Sequence, residues 1–180
     1  FHRLVCDPNQ NTCPSAGVPG TFLTATRFDG VNDYLTDDPS VAAADKLLAD
    51  LAGNNNGYTI RFYIKPSPPV DTSKPRPVYT IYDSSNNIRM QLALVHAGSG
   101  YRLHVIDNYQ VLYAPELCNT IQPYDQWNPI WVDAQKVSPQ HLEIYAGDLR
   151  CHDQFIYTPA LPAPTDRLVI GADLYNPNGY

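Results

Sequence analysis

The sequence is short of glutamate, of methionine and of charge in general. Among its 18 acidic residues only two are glutamates, Glu116 and Glu143, and it contains 1 methionine. Charged residues make up 17% of the chain, whereas about 25% is usual in soluble domains. Because glutamate and methionine are good helix formers, their scarcity argues against a mainly helical protein.

Two further absences exclude whole classes of protein. No stretch approaches the roughly 18 apolar residues that cross a membrane as a helix. No signal peptide is visible, so we expect a secreted form of this chain to be the mature one. The 12 Lys and Arg residues are scattered singly in a chain of net charge -6, which leaves no basic face for nucleic acid. We therefore expect neither membrane insertion nor nucleic-acid binding.

The abundant residues favour strands and turns. The chain has 13 Tyr and 17 Pro, and Thr, Asn and Asp are common. Tyr and Thr favour strands, whereas Pro, Asn and Asp favour turns. In residues 58–66 the apolar side chains of Ile60, Phe62 and Ile64 share one face of a predicted strand. Similar runs recur roughly every ten residues with turn-forming residues between them, and this spacing predicts one antiparallel β-sandwich.

Two local elements are predicted in more detail. A short helix over residues 40–53, begun by Ser40 and ended by Gly53, is expected to cover a rim of the sandwich. A hairpin is expected to turn at residues 98–100, with His96 and His104 facing each other as a surface pair. Its two strands direct five side chains inward, those of Met90, Leu92, Leu94, Leu103 and Val105.

The four cysteines favour an oxidising compartment. Cys6 and Cys13 enclose a short loop rich in turn formers, and Cys118 and Cys151 are the remaining couple. Four cysteines allow three pairings, of which the local one is favoured because a short loop closes at little entropic cost. Four free thiols in a cytosolic protein are the alternative. No C-x-x-C spacing is present, which disfavours a zinc site.

Several motifs in order resemble a known family. They are RLVCDPNQNTCPSAGVPG at 3–20, RFDGVNDYL at 27–35, YTIRFYIKP at 58–66, QWNPIWVDAQ at 126–135 and LVIGAD at 168–173. Together they resemble the laminin-G-like, concanavalin A-like jelly-roll modules of secreted bacterial repeat proteins. The resemblance implies an all-β fold, an antiparallel β-sandwich with one short helix, over residues 21–180. Residues 1–20 would form an irregular N-terminal segment stapled by a disulfide.

The chain departs from the family pattern at two strands and at its end. Phe62 or Tyr63 replaces the usual Trp of one strand, and Asn128 and Pro129 replace histidines in another. The final strand of the family is missing after residue 173. A missing strand exposes unpaired backbone groups. A neighbouring subunit, the chain's own N-terminus or a longer chain would supply it.

The candidate strand donor is the N-terminal segment, whose apolar residues are Phe1, Leu4 and Val5. Donation between subunits by strand addition would build a head-to-tail filament, since such a contact does not close on itself. Deleting residues 1–5 would then leave monomers.

The resemblance also raises the question of enzymatic activity. Glycoside hydrolases of this fold carry an E-x-D-x-E strand motif that places two carboxylates about 5 Å apart. Neither Glu116 nor Glu143 belongs to such a pattern, so we expect no enzyme.

A calcium site is implied by the resemblance. Oxygen ligands for Ca2+ at a loop rim would come from Asp29, Asn32, Asp33, Asp107, Asn108 and Asp173. A role of these residues in shaping turns is the favoured alternative.

Tyrosines in or beside loops are the candidate aromatic rings for a glycan, and a core or interface role is the favoured alternative. They are Tyr109, Tyr113, Tyr124, Tyr175 and Tyr180.

Two functions follow as hypotheses for a secreted or cell-surface protein. The first is a non-catalytic structural or adhesive module whose partners are like subunits, assembled into filaments by strand exchange. The second is a carbohydrate-binding lectin module, with or without calcium, whose partners are cell-surface glycans or glycosylated proteins.

Overall fold

The computed structural model describes residues 4–5, 15–16, 26–27, 34–37, 48, 57–69, 71–107, 110–112, 121–135, 141–146, 149–154 and 163–171. None of the helical residues in these ranges belongs to a helix long and apolar enough to cross a membrane. Cys6, Cys13 and Cys118 lie outside these ranges, as does most of the predicted helix.

Strands dominate the described residues. They are β1 (Leu4–Val5), β2 (Ser15–Ala16), β3 (Thr26–Arg27), β4 (Leu35–Asp37), β5 (Gly57–Ile64), β6 (Arg76–Tyr82), β7 (Ile88–Ala97), β8 (Gly100–Asp107), β9 (Gln110–Leu112), β10 (Gln122–Pro123), β11 (Asn128–Gln135), β12 (His141–Ala146), β13 (Leu149–Gln154) and β14 (Arg167–Ile170).

Two antiparallel sheets form a sandwich, which confirms the predicted fold class. The large sheet has the order β1-β4-β14-β6-β7-β8-β10, and β9 also pairs with β8. The small sheet has the order β13-β12-β11-β5. A separate ribbon joins β2 to β3. The long strands β5, β7, β8 and β11 are those in which the sequence alternates most clearly.

The core lies between the two sheets. Tyr58 of the small sheet reaches across to the only methionine, and its hydroxyl lies 3.5 Å from the Sδ of Met90. Leu48 has a helical backbone and is fully buried in the same core. The buried core residues are Leu48, Tyr58, Tyr79, Ile81, Met90, Leu92, Val105, Ile130, Val132, Ile144, Ala146 and Leu168.

The predicted hairpin is confirmed, but its histidine pair is wrong. β7 and β8 are joined by the two residues Gly98 and Ser99, and Gly98 has a φ of 59°. In this register His96 lies opposite Tyr101, and His104 lies opposite Ala93. The sequence pattern left the turn length and the register open, and a shift in either changes every cross-strand partner.

Close approach explains the glycine that follows this turn. A Cβ built on Gly100 would lie 2.1 Å from the carbonyl oxygen of Gln122 and 2.5 Å from the side chain of Ile121. Gly100 also pairs with Pro123 of β10. The missing side chain therefore lets the edge strand β10 reach β8.

The N-terminal residues Leu4–Val5 pair with β4 of the same chain, at one edge of the large sheet. The next strand, β14, is paired on both of its edges, with β4 and with β6. No slot therefore adjoins β14. Exchange of Leu4–Val5 between subunits, and the division of the chain at residue 20, stay predictions.

Buried acids hold β14 in the large sheet. The Oδ2 of Asp37 accepts the backbone N–H of Leu168 at 3.0 Å. Asp166 accepts the N–H of Ala163 at 2.8 Å and makes an ion pair with the Nε of Arg89 at 2.8 Å. Burial raises the pKa of Asp166 above its ordinary value, against the opposing effect of these two donors. Both carboxylates thus serve the fold.

The large sheet is buried on its outer face as well. Thr80, Ala93 and Val169, which point away from the small sheet, are fully buried, and Gln91 is almost so. Gln91 donates its Nε2 hydrogen to the Oγ1 of Thr80 at 3.1 Å. This face is therefore closed to a large ligand along its central strands.

His104 on this outer face makes stability depend on pH. Burial lowers the pKa of its imidazole below the ordinary 6.5. Because the unfolded chain then takes up the proton more readily, the contribution of His104 to stability is present above pH 6.5. It is lost as the pH falls below that value. Urea unfolding across this range should show the loss in the wild type and a smaller loss in His104→Gln. Equal losses in the two proteins would contradict this role.

Candidate functional site

The small sheet exposes one of its two faces. Alternation along β5 sends Ile60, Phe62 and Ile64 against the core. Thr59, Arg61 and Tyr63 therefore point outward, and all three are exposed. Tyr63, near the end of the edge strand β5, is 72% exposed and is one of the few large apolar side chains of the described residues with such exposure.

Neighbouring residues of β11 extend this outward face. Ile130 and Val132 are buried in the core, so Pro129, Trp131 and Asp133 point outward. In the register of the two strands Pro129 lies opposite Tyr63, and Trp131 lies opposite Arg61. The aromatic and cationic side chains of the two strands are therefore adjacent.

The same alternation continues beyond the ends of both strands. The Nδ2 of Asn128 donates to the hydroxyl of Tyr101 in the large sheet at 3.1 Å, so Asn128 points inward. Trp127, one residue earlier, is 44% exposed, and Lys65 at the end of β5 is exposed too. The N–H of Asp125 donates to the carbonyl of Pro66 at 2.8 Å and holds the two segments together.

We call this surface the outer strip. It consists of Arg61, Tyr63, Lys65, Trp127, Pro129 and Trp131. Arg61 and Lys65 are four residues apart on one face, a separation of about 13 Å in an extended strand. The strip is therefore longer than a single sugar ring or amino-acid side chain.

A stacked row crosses the strip at one end. The rings of Trp131 and Tyr145 of β12 stack with centroids 4.8 Å apart and an interplanar angle of 26°. The guanidinium carbon of Arg61 lies 5.9 Å from the centroid of Trp131 on the β5 side. Trp131 thus contacts side chains of both adjacent strands, Arg61 on β5 and Tyr145 on β12, while the rings of Tyr63 and Trp127 are exposed.

Two carboxylates lie beside this row. Asp133 and Glu143 are directly opposite each other on β11 and β12. The Oδ1 of Asp133 accepts a hydrogen bond from the Thr59 hydroxyl at 2.8 Å. The Oε2 of Glu143 accepts one from the Tyr145 hydroxyl at 3.0 Å. These donors offset the repulsion of two like charges across strands.

Tyr124 belongs to a second polar cluster at one end of the sandwich. Its hydroxyl lies 3.0 Å from the Nδ1 of His96, and its ring lies 5.8 Å from that of the buried Tyr101. The guanidinium of Arg76 lies 5.7 Å from the Tyr124 ring, and burial lowers the pKa of Arg76. Arg76 also donates to the carbonyl of Ser67 at 2.8 Å. Since its members bond to one another, this cluster packs the end of the sandwich.

Most other predicted site residues lie outside the described ranges or are described by their backbone only. Cys151 and Asp107 belong to β13 and β8 by their backbone only. No group of three His, Cys, Asp or Glu side chains that could hold a metal occurs among the described residues. The remaining residues lie outside those described: Phe1, Cys6, Cys13, Asp29, Asn32, Asp33, Asn108, Tyr109, Tyr113, Cys118, Asp173, Tyr175 and Tyr180.

Sequence reasoning missed the outer strip. The alternation of residues 58–66 placed Arg61 and Tyr63 on one face but gave them no function. Trp127 and Trp131 are the only two tryptophans of the chain, and their spacing of four residues places both on one face of an extended strand. This spacing is the feature of the sequence that could have indicated an aromatic surface. Their partners on β5 come from more than sixty residues away, and only the pairing of β5 with β11 brings them together.

Comparisons with known proteins show similarity of fold. No protein-family model matches the sequence, and no curated protein matches it. The native heptameric SAP-like pentraxin from Limulus polyphemus matches with a TM-score of 0.47 and 14% identity over 67% of this chain. The match covers 54% of the pentraxin chain, so this chain spans about half of its length.

Two further solved structures are similar at the same level. The full extracellular region of zebrafish Gpr126/Adgrg6 has a TM-score of 0.43 and 11% identity, over 66% of this chain and 16% of that one. The Emp47p carbohydrate recognition domain has a TM-score of 0.42 and 12% identity, over 69% of both chains. These likenesses concern the fold, and no ligand follows from them.

Proposed function

We propose that this protein is a non-catalytic carbohydrate-binding module and that the outer strip is its binding surface. The observation that carries the proposal is the exposure of Tyr63 on β5 and of Trp127 just before β11, beside side chains that form hydrogen bonds. A sugar ring has an apolar face that stacks on an aromatic ring, and hydroxyl groups around its edge. The strip offers partners for both.

The polar groups beside the rings suit hydroxyl recognition. Arg61 and Lys65 supply donors, and the carboxylates of Asp133 and Glu143 accept hydrogen bonds. Arg61, Asp133 and Glu143 stand on strands and each contacts a neighbouring side chain, so less ordering is needed on binding.

The filament hypothesis has less support. It requires Leu4–Val5 to leave its place beside β4 and to pair with another subunit, and those two residues pair within their own chain here. The outer strip needs no such rearrangement. Carbohydrate binding is therefore the function that the described geometry supports better.

A glycan array with matched variants tests the proposal. We expect the wild type to bind a defined set of glycans and Tyr63→Ala to bind them about fivefold more weakly, since one stacked ring contributes on the order of 1 kcal/mol. Tyr63→Phe keeps the ring and should bind nearly as well. Arg102→Ala removes an exposed side chain of the large sheet and serves as the matched control. Absence of any glycan binding, or equal binding by Tyr63→Ala, would refute the proposal.

Repeating the array with EDTA distinguishes binding by the outer strip from binding through a calcium site. Binding by the outer strip should persist in EDTA, because no group of metal ligands occurs in the described part of this face. Loss of binding in EDTA would instead point to the predicted calcium ligands such as Asp29, Asp33 and Asp107.

A further inference from the structure

Cations and acids follow one another along the small sheet's outer face. Lys65 lies just beyond the end of β5, and Arg61 lies in the middle of β5 opposite Trp131. Asp133 and Glu143 form the next outward row, in which Asp133 lies opposite Thr59. Within the described residues no carboxylate forms an ion pair with Arg61 or Lys65.

We propose that the glycan bound by the outer strip carries negative charge, as a carboxylate or a sulfate group, and that Arg61 and Lys65 bind it. The proposal rests on carbohydrate binding by the same strip. The acidic group of the ligand would lie at Arg61 or Lys65, with its neighbouring sugar ring on Tyr63 or Trp127. Uncharged hydroxyls would lie toward Asp133 and Glu143.

Arg61 is arranged for this role. A guanidinium donates paired hydrogen bonds to a carboxylate or a sulfate, and its flat face stacks on an aromatic ring at the same time. The guanidinium carbon of Arg61 lies over the Trp131 ring, 5.9 Å from its centroid. This contact restrains the arginine side chain while its N–H groups can still donate to an anion, so less side-chain entropy is lost on binding.

The net charge of the protein limits where an acidic glycan can bind. At a net charge of -6 the chain as a whole repels a polyanion. Attraction to an acidic glycan must therefore come from a local group of cations with no counter-ion. Among the described residues Arg61 and Lys65 are such a group, separated by about 13 Å along one face of an extended strand.

The test compares acidic and neutral chains on the same immobilised protein. The probes are polygalacturonate with its carboxyl-reduced neutral form, and dextran sulfate with dextran. We expect at least one acidic chain to bind about tenfold more tightly than its neutral counterpart, since hydrogen bonds to charged groups exceed neutral ones by roughly that factor. The arm that binds distinguishes carboxylate from sulfate. Binding should weaken as NaCl screens the charges.

Variants locate the binding. Arg61→Gln and Lys65→Gln should each weaken binding of the acidic chain severalfold and binding of any neutral chain by a smaller factor, since the Gln amide still donates hydrogen bonds to hydroxyl groups but carries no charge. Lys74→Gln, which removes an exposed cation of another loop, should have no effect. Asp133→Asn keeps the acceptor for Thr59 and removes a negative charge, so it should strengthen binding of the acidic chain. Melting temperatures confirm that each variant is folded.

Three results would overturn the inference. Equal binding of acidic and neutral chains would refute it and leave carbohydrate binding by the strip intact. Acidic binding that neither Arg61→Gln nor Lys65→Gln weakens would also refute it, since the cations would lie elsewhere. Failure of every chain on these probes and on the array would refute the proposed function itself.

Discussion

Leu92→Ala is expected to lower the free energy of unfolding by about 2–5 kcal/mol, the range for removing a buried leucine from a core. Leu92 is fully buried on β7, the strand between β6 and β8. It lies opposite Tyr79 on one side and Val105 on the other. The substitution leaves a cavity that these strands cannot close without disturbing the large sheet.

Urea unfolding measures this loss as a shift of the midpoint at constant slope. Ser84→Ala, in the exposed turn between β6 and β7, is the matched control and should change stability by less than about 0.5 kcal/mol. A loss for Leu92→Ala as small as that of the control would contradict the placement of Leu92 between the two sheets.

Trp131→Ala is expected to weaken glycan binding by about tenfold or more without unfolding the protein. The indole contacts both Arg61 and Tyr145, and each contact is worth about 0.5–1.5 kcal/mol. Their loss leaves the Arg61 side chain without its aromatic neighbour and removes the indole ring from the outer strip. Trp131→Phe keeps an aromatic face for both neighbours and should retain most of the affinity. Calorimetric titration with a glycan from the array compares the two variants. Wild-type affinity in Trp131→Ala would show that the stacked row has no part in binding.

The sandwich could be predicted from sequence because its long strands alternate strictly. Ile60, Phe62 and Ile64 face the core as their spacing indicated, and Met90, Leu92 and Val105 do so in the hairpin. Turn residues at 98–100 fixed where that hairpin bends. These signals are local, so one sequence is enough to show them.

Partners across strands could not be predicted in the same way. The histidine pair was wrong because the two-residue turn sets His96 against Tyr101. Asp133 and Glu143 form a neighbouring pair although no sequence motif joins them. The order of strands in a sheet depends on long-range packing, which spacing along the chain does not encode.

The same reason explains why the candidate site was not predicted. The sequence suggested tyrosines in or beside loops as the aromatic rings for a ligand. The one that the structure describes, Tyr124, packs against His96 and Arg76. The exposed rings lie instead on and beside β5 and β11. A strand face becomes a surface only when no other layer covers it, and only the packed sandwich shows which face that is.

The central claim is that the outer strip binds the ligand, and amide and indole NMR shifts of labelled protein test it most directly. In a titration with the best glycan from the array, we predict shifts concentrated at Arg61, Tyr63 and Lys65 and at the indole N–H groups of Trp127 and Trp131. Arg102 and the other residues of the large sheet should keep their positions. Shifts confined to the Tyr124 cluster or to the large sheet, with the strip unchanged, would contradict the account.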